Sequence, residues 1–234
     1  MITALSTLTL LQLVFAMSRA AIIRIGSIPW KILPELIVFD LDMCFWSPEM
    51  YQLDDIPTLA DAIKGSLGDG IGEGVIAVKS GYEQIRVFPD ALKILQDFHN
   101  GHFGNDMRIA AASSADTPHA VSIGRAALDI LEVVPGVTAR SVFNKGWPEG
   151  FDGNMQIGRT PPLSSDKAAT HFPLLKQHTG IAYNKMVFFD DCNWGNHCAA
   201  VERGCPGVTT QKTPRGLQLS EFKAALDKYE NKEC

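Results

Sequence analysis

The chain has 234 residues, 46% hydrophobic and 20% charged, enough for one substantial domain with its own core. A formal net charge of −5 argues against a protein that binds nucleic acid through its phosphates. The five cysteines (Cys44, Cys192, Cys198, Cys205, Cys234) are odd in number and contain no CxxC pair, which excludes an ordinary disulfide framework or zinc site and favours a reducing compartment.

Residues 1–33 form an apolar and basic extension with Arg19, Arg24 and Lys31 and no acid. No basic residue precedes the uncharged run ITALSTLTLLQLVFAM, as a secretory signal would require, and the run is short for a membrane anchor. An organelle presequence, an anchor and an extension outside the fold stay open. The expected localisation is cytoplasmic, or mitochondrial or plastid if the segment is a presequence, and no stable membrane partner is expected beyond it. The domain proper is expected over 34–234, with a small cap or insertion at about 47–88.

The next segment, PELIVFDLDMCFW, runs four apolar residues straight into two acids. LIVF (36–39) reads as a strand buried on both faces, the type found in parallel sheets. Residues 53–74 read as a polar, glycine-rich insertion. GVIAVKSGYEQIRVF (74–88) alternates around Ser80-Gly81 as a hairpin does. PDALKILQDFHN (89–100) starts with proline in a helix's first turn. RIAAAS (108–113) is a second apolar strand and TPHAVSIGRAALDIL (117–131) a second helix. A glycine- and proline-rich loop fills 144–165, a third helix is expected over 166–180, and KMVFFDD (185–191) is a third strand ending in acids. Strands alternating with helices predict an α/β fold, a Rossmann-like parallel sheet with helices on both faces.

In such sheets ligands bind beyond the carboxyl ends of the strands. Asp40/Asp42, Ser113/Ser114 and Asp190/Asp191 would all converge there. Any one acid pair is explained by a turn or helix cap, but the three strand ends together imply a site. Crowded carboxylates repel unless a cation intervenes, and Mg²⁺ is a natural oxygen-loving partner.

Four segments carry a resemblance: FDLDMCFW (39–46), AAASS (110–114), Lys167 with Thr170-His171-Phe172, and VFFDDCN (187–193). In order and spacing they resemble the motifs of haloacid-dehalogenase-type (HAD) phosphatases, most closely the magnesium-dependent phosphatase-1 branch. The resemblance implies a Mg²⁺-dependent phosphomonoester hydrolase. Asp40 would be the nucleophile, forming an aspartyl-phosphate, and Asp42 the general acid and base. Ser113, Ser114 and Lys167 would bind the phosphate. Asp40, Asp42 (through its carbonyl), Asp191 and Asp190 would surround the metal, with Asn193 orienting an acid. The implied substrates are phosphorylated small molecules or phosphoproteins, including phosphotyrosine proteins, sugar phosphates and phosphorylated glycated amines. A CTD-type protein serine phosphatase is an alternative of the same chemistry, and a catalytically silent phosphate-binding module an alternative of another class.

The chain also departs from that pattern. Ser114 stands where the branch has arginine, and Cys44 where it has threonine. The first leaves Lys167 as the one cation among the motif residues, and the second reads as a packed structural cysteine. GDGIGEG (68–74) follows no apolar strand and is no dinucleotide loop. His197 and Cys198 read as helix packing, and His171 as packing or support behind the site.

Overall fold

The computed structural model describes residues 30–233, so most of the N-terminal extension lies outside the described residues. In chain order the elements are β1 (Leu36–Phe39), β2 (Trp46–Ser47), β3 (Ala62–Ser66), β4 (Glu73–Ser80), β5 (Glu83–Val87), α1 (Pro89–His99), β6 (Arg108–Ser113) and α2 (Pro118–Ile130). They continue as β7 (Glu132–Val134), β8 (Val137–Thr138), α3 (Ala139–Phe143), β9 (Met155–Ile157), α4 (His171–Thr179), β10 (Met186–Asp190), α5 (His197–Gly204), β11 (Thr209–Lys212) and α6 (Leu219–Glu233).

The main sheet is parallel, in the order β11-β10-β1-β6-β9. The period-2 geometry of a strand explains why LIVF is apolar throughout. Ile37 and Phe39 face a core built with α1, α2, α3 and α6, whereas Leu36 and Val38 face a second core built with α4 and α5. All four side chains are almost fully buried, each stabilising the fold by roughly 2 kcal/mol. The expected helices on both faces follow from this division. Trp30, Ile32 and Leu33 pack against the first core, and Trp30 Nε1 donates to Asp227 on α6 at 2.7 Å. The packed domain therefore takes in the last residues of the segment read as an extension.

A four-stranded antiparallel sheet, β2-β5-β4-β3, sits over the sequence between β1 and α1. The predicted hairpin is present as β4 and β5, turning at Gly81 with φ 59°. The polar, glycine-rich insertion 53–74 contains β3, a strand its composition does not single out, which pairs along β4. The cap is tied down by buried Gln96 of α1, whose amide donates to the carbonyls of Leu67 and Val133, and by Glu132, which accepts from Val75 N at 2.8 Å.

Two further differences concern the site. The loop 144–165 hides β9, the sheet's edge strand, paired through Ser113↔Ile157. The third helix starts at His171 rather than 166. The Asp166 side chain accepts from the backbone of Ala168 and Ala169, and Thr170 is non-helical at φ −128°, ψ −58°. Asp166 caps this short turn as an aspartate caps a helix, and the departure of Thr170 from helical geometry separates the turn from α4. Lys167 thus belongs to a turn before the helix.

Candidate active site

The carboxyl ends of β1, β6 and β10 open onto a cleft of about 300 Å³ lined by Asp40, Asp42, Ser113, Ser114, Lys167 and Asp191. Carboxylate oxygens of Asp40, Asp190 and Asp191 all lie within 4.8 Å of one another, and all three residues are buried. Lys167, only 2% exposed, places its ammonium 2.9 Å from Asp40 Oδ1 and 2.7 Å from Asp190 Oδ2. One ammonium faces three buried carboxyl groups, fewer positive charges than the fully ionised cluster would need.

The titration behaviour follows from this crowding. Burial pushes Asp40 well above the ordinary carboxylate range; Lys167 pulls it down and Asp190 pushes it up further. Burial also acts to raise Asp190, but the charge and hydrogen bond of Lys167 outweigh it and hold this carboxyl low. Asp191 is raised by burial and by Asp190. Burial would deprotonate Lys167, yet the two carboxylates raise its pKa instead. The all-oxygen donor set and the charge deficit suit a hard divalent cation.

Asp42 stands apart from this cluster. Its carboxylate accepts from Trp46 Nε1 at 2.9 Å and Met50 N at 3.0 Å, and burial raises its pKa to about 6. The turn that aims it passes through Met43 at φ 55°, and the loop after Asp191 passes through Cys192 at φ 61°. Non-glycine residues rarely adopt this left-handed conformation, which costs about 1 kcal/mol and collects at functional sites. Each acid pair is therefore followed by a strained residue.

Behind the cleft, buried His171 places Nε2 3.1 Å from the Ser113 carbonyl and Nδ1 3.1 Å from the Thr170 hydroxyl. Burial first, then the charge of Lys167, lowers its pKa to about 4, so the neutral ring donates to Ser113 and ties α4 to the end of β6. Cys44 is fully buried with its thiol pushed well up, against any role as a nucleophile.

Asn193 takes another part than expected. The side chain of Asn193 is exposed; what holds Asp191 is the Asn193 backbone N–H, 3.2 Å from Oδ2. The following asparagine, Asn196, caps α5 through Ala199 N. Ser114 lines the cleft, and its hydroxyl is buried without a hydrogen-bond partner among the described residues. Its carbonyl accepts from Arg159 Nε at 2.7 Å, a residue that nothing in the motif pattern singled out. Arg159 and His197 both line the cleft, along with Glu49, Tyr51 and Trp194. Trp194 Nε1 donates to the Glu49 carboxylate, and Tyr51 meets the indole edge-on at 6.1 Å, forming an exposed aromatic rim.

A sequence profile of the acid phosphatase family matches residues 32–232. The chain belongs to the acid phosphatase family. That family is HAD-like, in keeping with the superfamily resemblance of the four motifs. None of the curated proteins matches the sequence. Among solved structures, the chain is similar to the N-terminal part of the protein BF1531 from Bacteroides fragilis, described as containing a phosphatase domain complexed with Mg. The identity is 15% over 78% of this chain, with a TM-score of 0.40, and the match spans 37% of that chain.

Proposed function

We propose that the protein is a HAD-type, Mg²⁺-dependent phosphomonoester hydrolase, of the kind the magnesium-dependent phosphatase-1 branch represents. The observation that carries this reading is the convergence of Asp40, Asp190 and Asp191 around a single ammonium at the ends of parallel strands. Asp40, Asp190 and Asp191 would hold the metal, with the Asp42 carbonyl. When bound, Mg²⁺ supplies positive charge that lets an anionic phosphate approach an anionic carboxylate.

The chain's own groups would do the rest. A carboxylate oxygen of Asp40 attacks phosphorus, the ester P–O bond breaks, and Asp42 gives its proton to the departing oxygen. Asp42, now a carboxylate, takes a proton from water; the hydroxide attacks phosphorus, releasing phosphate and Asp40. Lys167 favours the ionised form of Asp40 against the burial that disfavours it, and Ser113 would line the phosphate's seat. The exposed rim of Tyr51 and Trp194 favours a leaving group carrying a ring, as in aryl phosphates, phosphotyrosine or sugar phosphates.

The test is phosphate release from an aryl phosphate with and without Mg²⁺. Turnover should vanish in excess EDTA and return with Mg²⁺, with Ca²⁺ a poor substitute because of its looser coordination. Full activity in EDTA refutes the metal dependence. Binding of phosphate without release, metal present, would mark a silent binding module.

A further inference from the structure

Lys167 is spent on two carboxylates, so what meets the charge of a substrate outside the transferring phosphoryl group? Of the two permanent cations lining the cleft, Arg159 alone pairs with no carboxylate among the described residues. Its placement is built by the fold. Ile157, the last residue of β9, pairs with Ser113, and Gly158 N donates to the Ser113 carbonyl at 2.8 Å. Gly158 then turns the chain at φ 129°, where an added Cβ would also come within 3.1 Å of Val121, so this turn requires glycine. The next residue, Arg159, is thereby laid over Ser114, and its Nε–H is fixed on the Ser114 carbonyl at 2.7 Å. The anchored guanidinium keeps both Nη groups free of hydrogen bonds among the described residues. Arg159 is exposed, whereas the Lys167 ammonium is buried against Asp40.

We infer that Arg159 reads a second anionic group on the substrate, a carboxylate carried by the leaving group, so that the preferred substrates are phosphomonoesters bearing an additional negative charge. A guanidinium held by Nε presents its two Nη groups as a fork that matches a carboxylate in bidentate fashion. Arg159 is exposed and held on Ser114, one residue past the Ser113 of the proposed phosphate seat, so its guanidinium would meet the leaving group instead of the transferring phosphoryl group. A guanidinium supplied from the 144–165 loop thus stands beside Ser114, where the resembled branch carries its arginine within the motif. The inference rests on the proposed function only for where the phosphoryl group lies.

The experiment uses non-hydrolysable probes, so it is independent of turnover. Benzylphosphonate and its ring-carboxylated analogue are titrated calorimetrically into wild type, Arg159→Gln and Arg159→Lys in Mg²⁺ buffer. Wild type should prefer the carboxylated probe by about tenfold, as a charge-assisted contact at a solvent-accessible site would give. Arg159→Gln should lose the preference while binding benzylphosphonate unchanged, and Arg159→Lys should keep part of it. No preference in wild type overturns the inference, as does a preference that survives in Arg159→Gln. Equal weakening of both probes in Arg159→Gln also overturns it, since Arg159 would then contact the phosphoryl group itself. A protein that shows the preference yet releases no phosphate from aryl phosphates would sink the hydrolase reading and leave the role of Arg159 standing.

Discussion

Acidification should unfold this protein partly through one histidine. His171 is buried and neutral, and its pKa is lowered from 6.5 to about 4, first by burial and then by Lys167. The unfolded chain takes up the imidazole proton first as pH falls, so stability is complete above about pH 6.5 and is lost between there and pH 4. At 1.36 kcal/mol for each pKa unit, that interval corresponds to about 3 kcal/mol, a large part of the margin of an ordinary domain. The carboxylates also contribute to acid unfolding, so the variant His171→Gln isolates the histidine. Glutamine retains a donor for the Ser113 carbonyl and does not titrate. Urea unfolding of both proteins at several pH values between 7 and 4 gives two stability curves. The wild-type curve should drop relative to the variant's by about 3 kcal/mol over that range. Parallel curves would refute the reasoning, because His171 would then titrate near its ordinary value and could not be the buried neutral tie between α4 and β6.

Asp40→Asn should keep the fold and lower turnover of an aryl phosphate by at least about a thousandfold, measured by steady-state phosphate release. Asp42→Asn should slow substrates with poor leaving groups by about a hundredfold or more and good leaving groups far less, because only the former need the proton; equal losses on both would remove Asp42 from that role. Lys167→Met should destabilise the protein by about 3–5 kcal/mol in EDTA, since it leaves three buried carboxylates uncompensated. Mg²⁺ should raise the thermal midpoint of that variant more than that of wild type, as followed by circular dichroism. Trp46→Phe removes the indole donor from Asp42 Oδ1, and should reduce kcat with little change in KM.

The sequence alone determined the central strands and the buried acids, because both are local signals. LIVF, RIAAAS and MVFFD are apolar runs that a sheet covered on both faces can bury, and the acids and serines at their ends need no partner sequence to be noticed. Pro89 and Thr117 likewise mark the starts of α1 and α2, Thr117 by accepting from Ala120 N. What tertiary structure decided is wherever a residue's environment comes from a distant segment. The short strand MQI is invisible in a glycine- and proline-rich loop, since its ladder exists only against β6. The polar strand AIKGS is a strand only because β4 lies beside it. Asn193 looked like an orienting side chain, but its amide N–H does that work, and a backbone group leaves no mark in a residue's identity. Arg159 enters the cleft because β9 ends beside Ser113 and Gly158 turns the chain across the sheet edge. Its distance in sequence from Ser114 conceals a contact that only the pairing of two parallel strands creates.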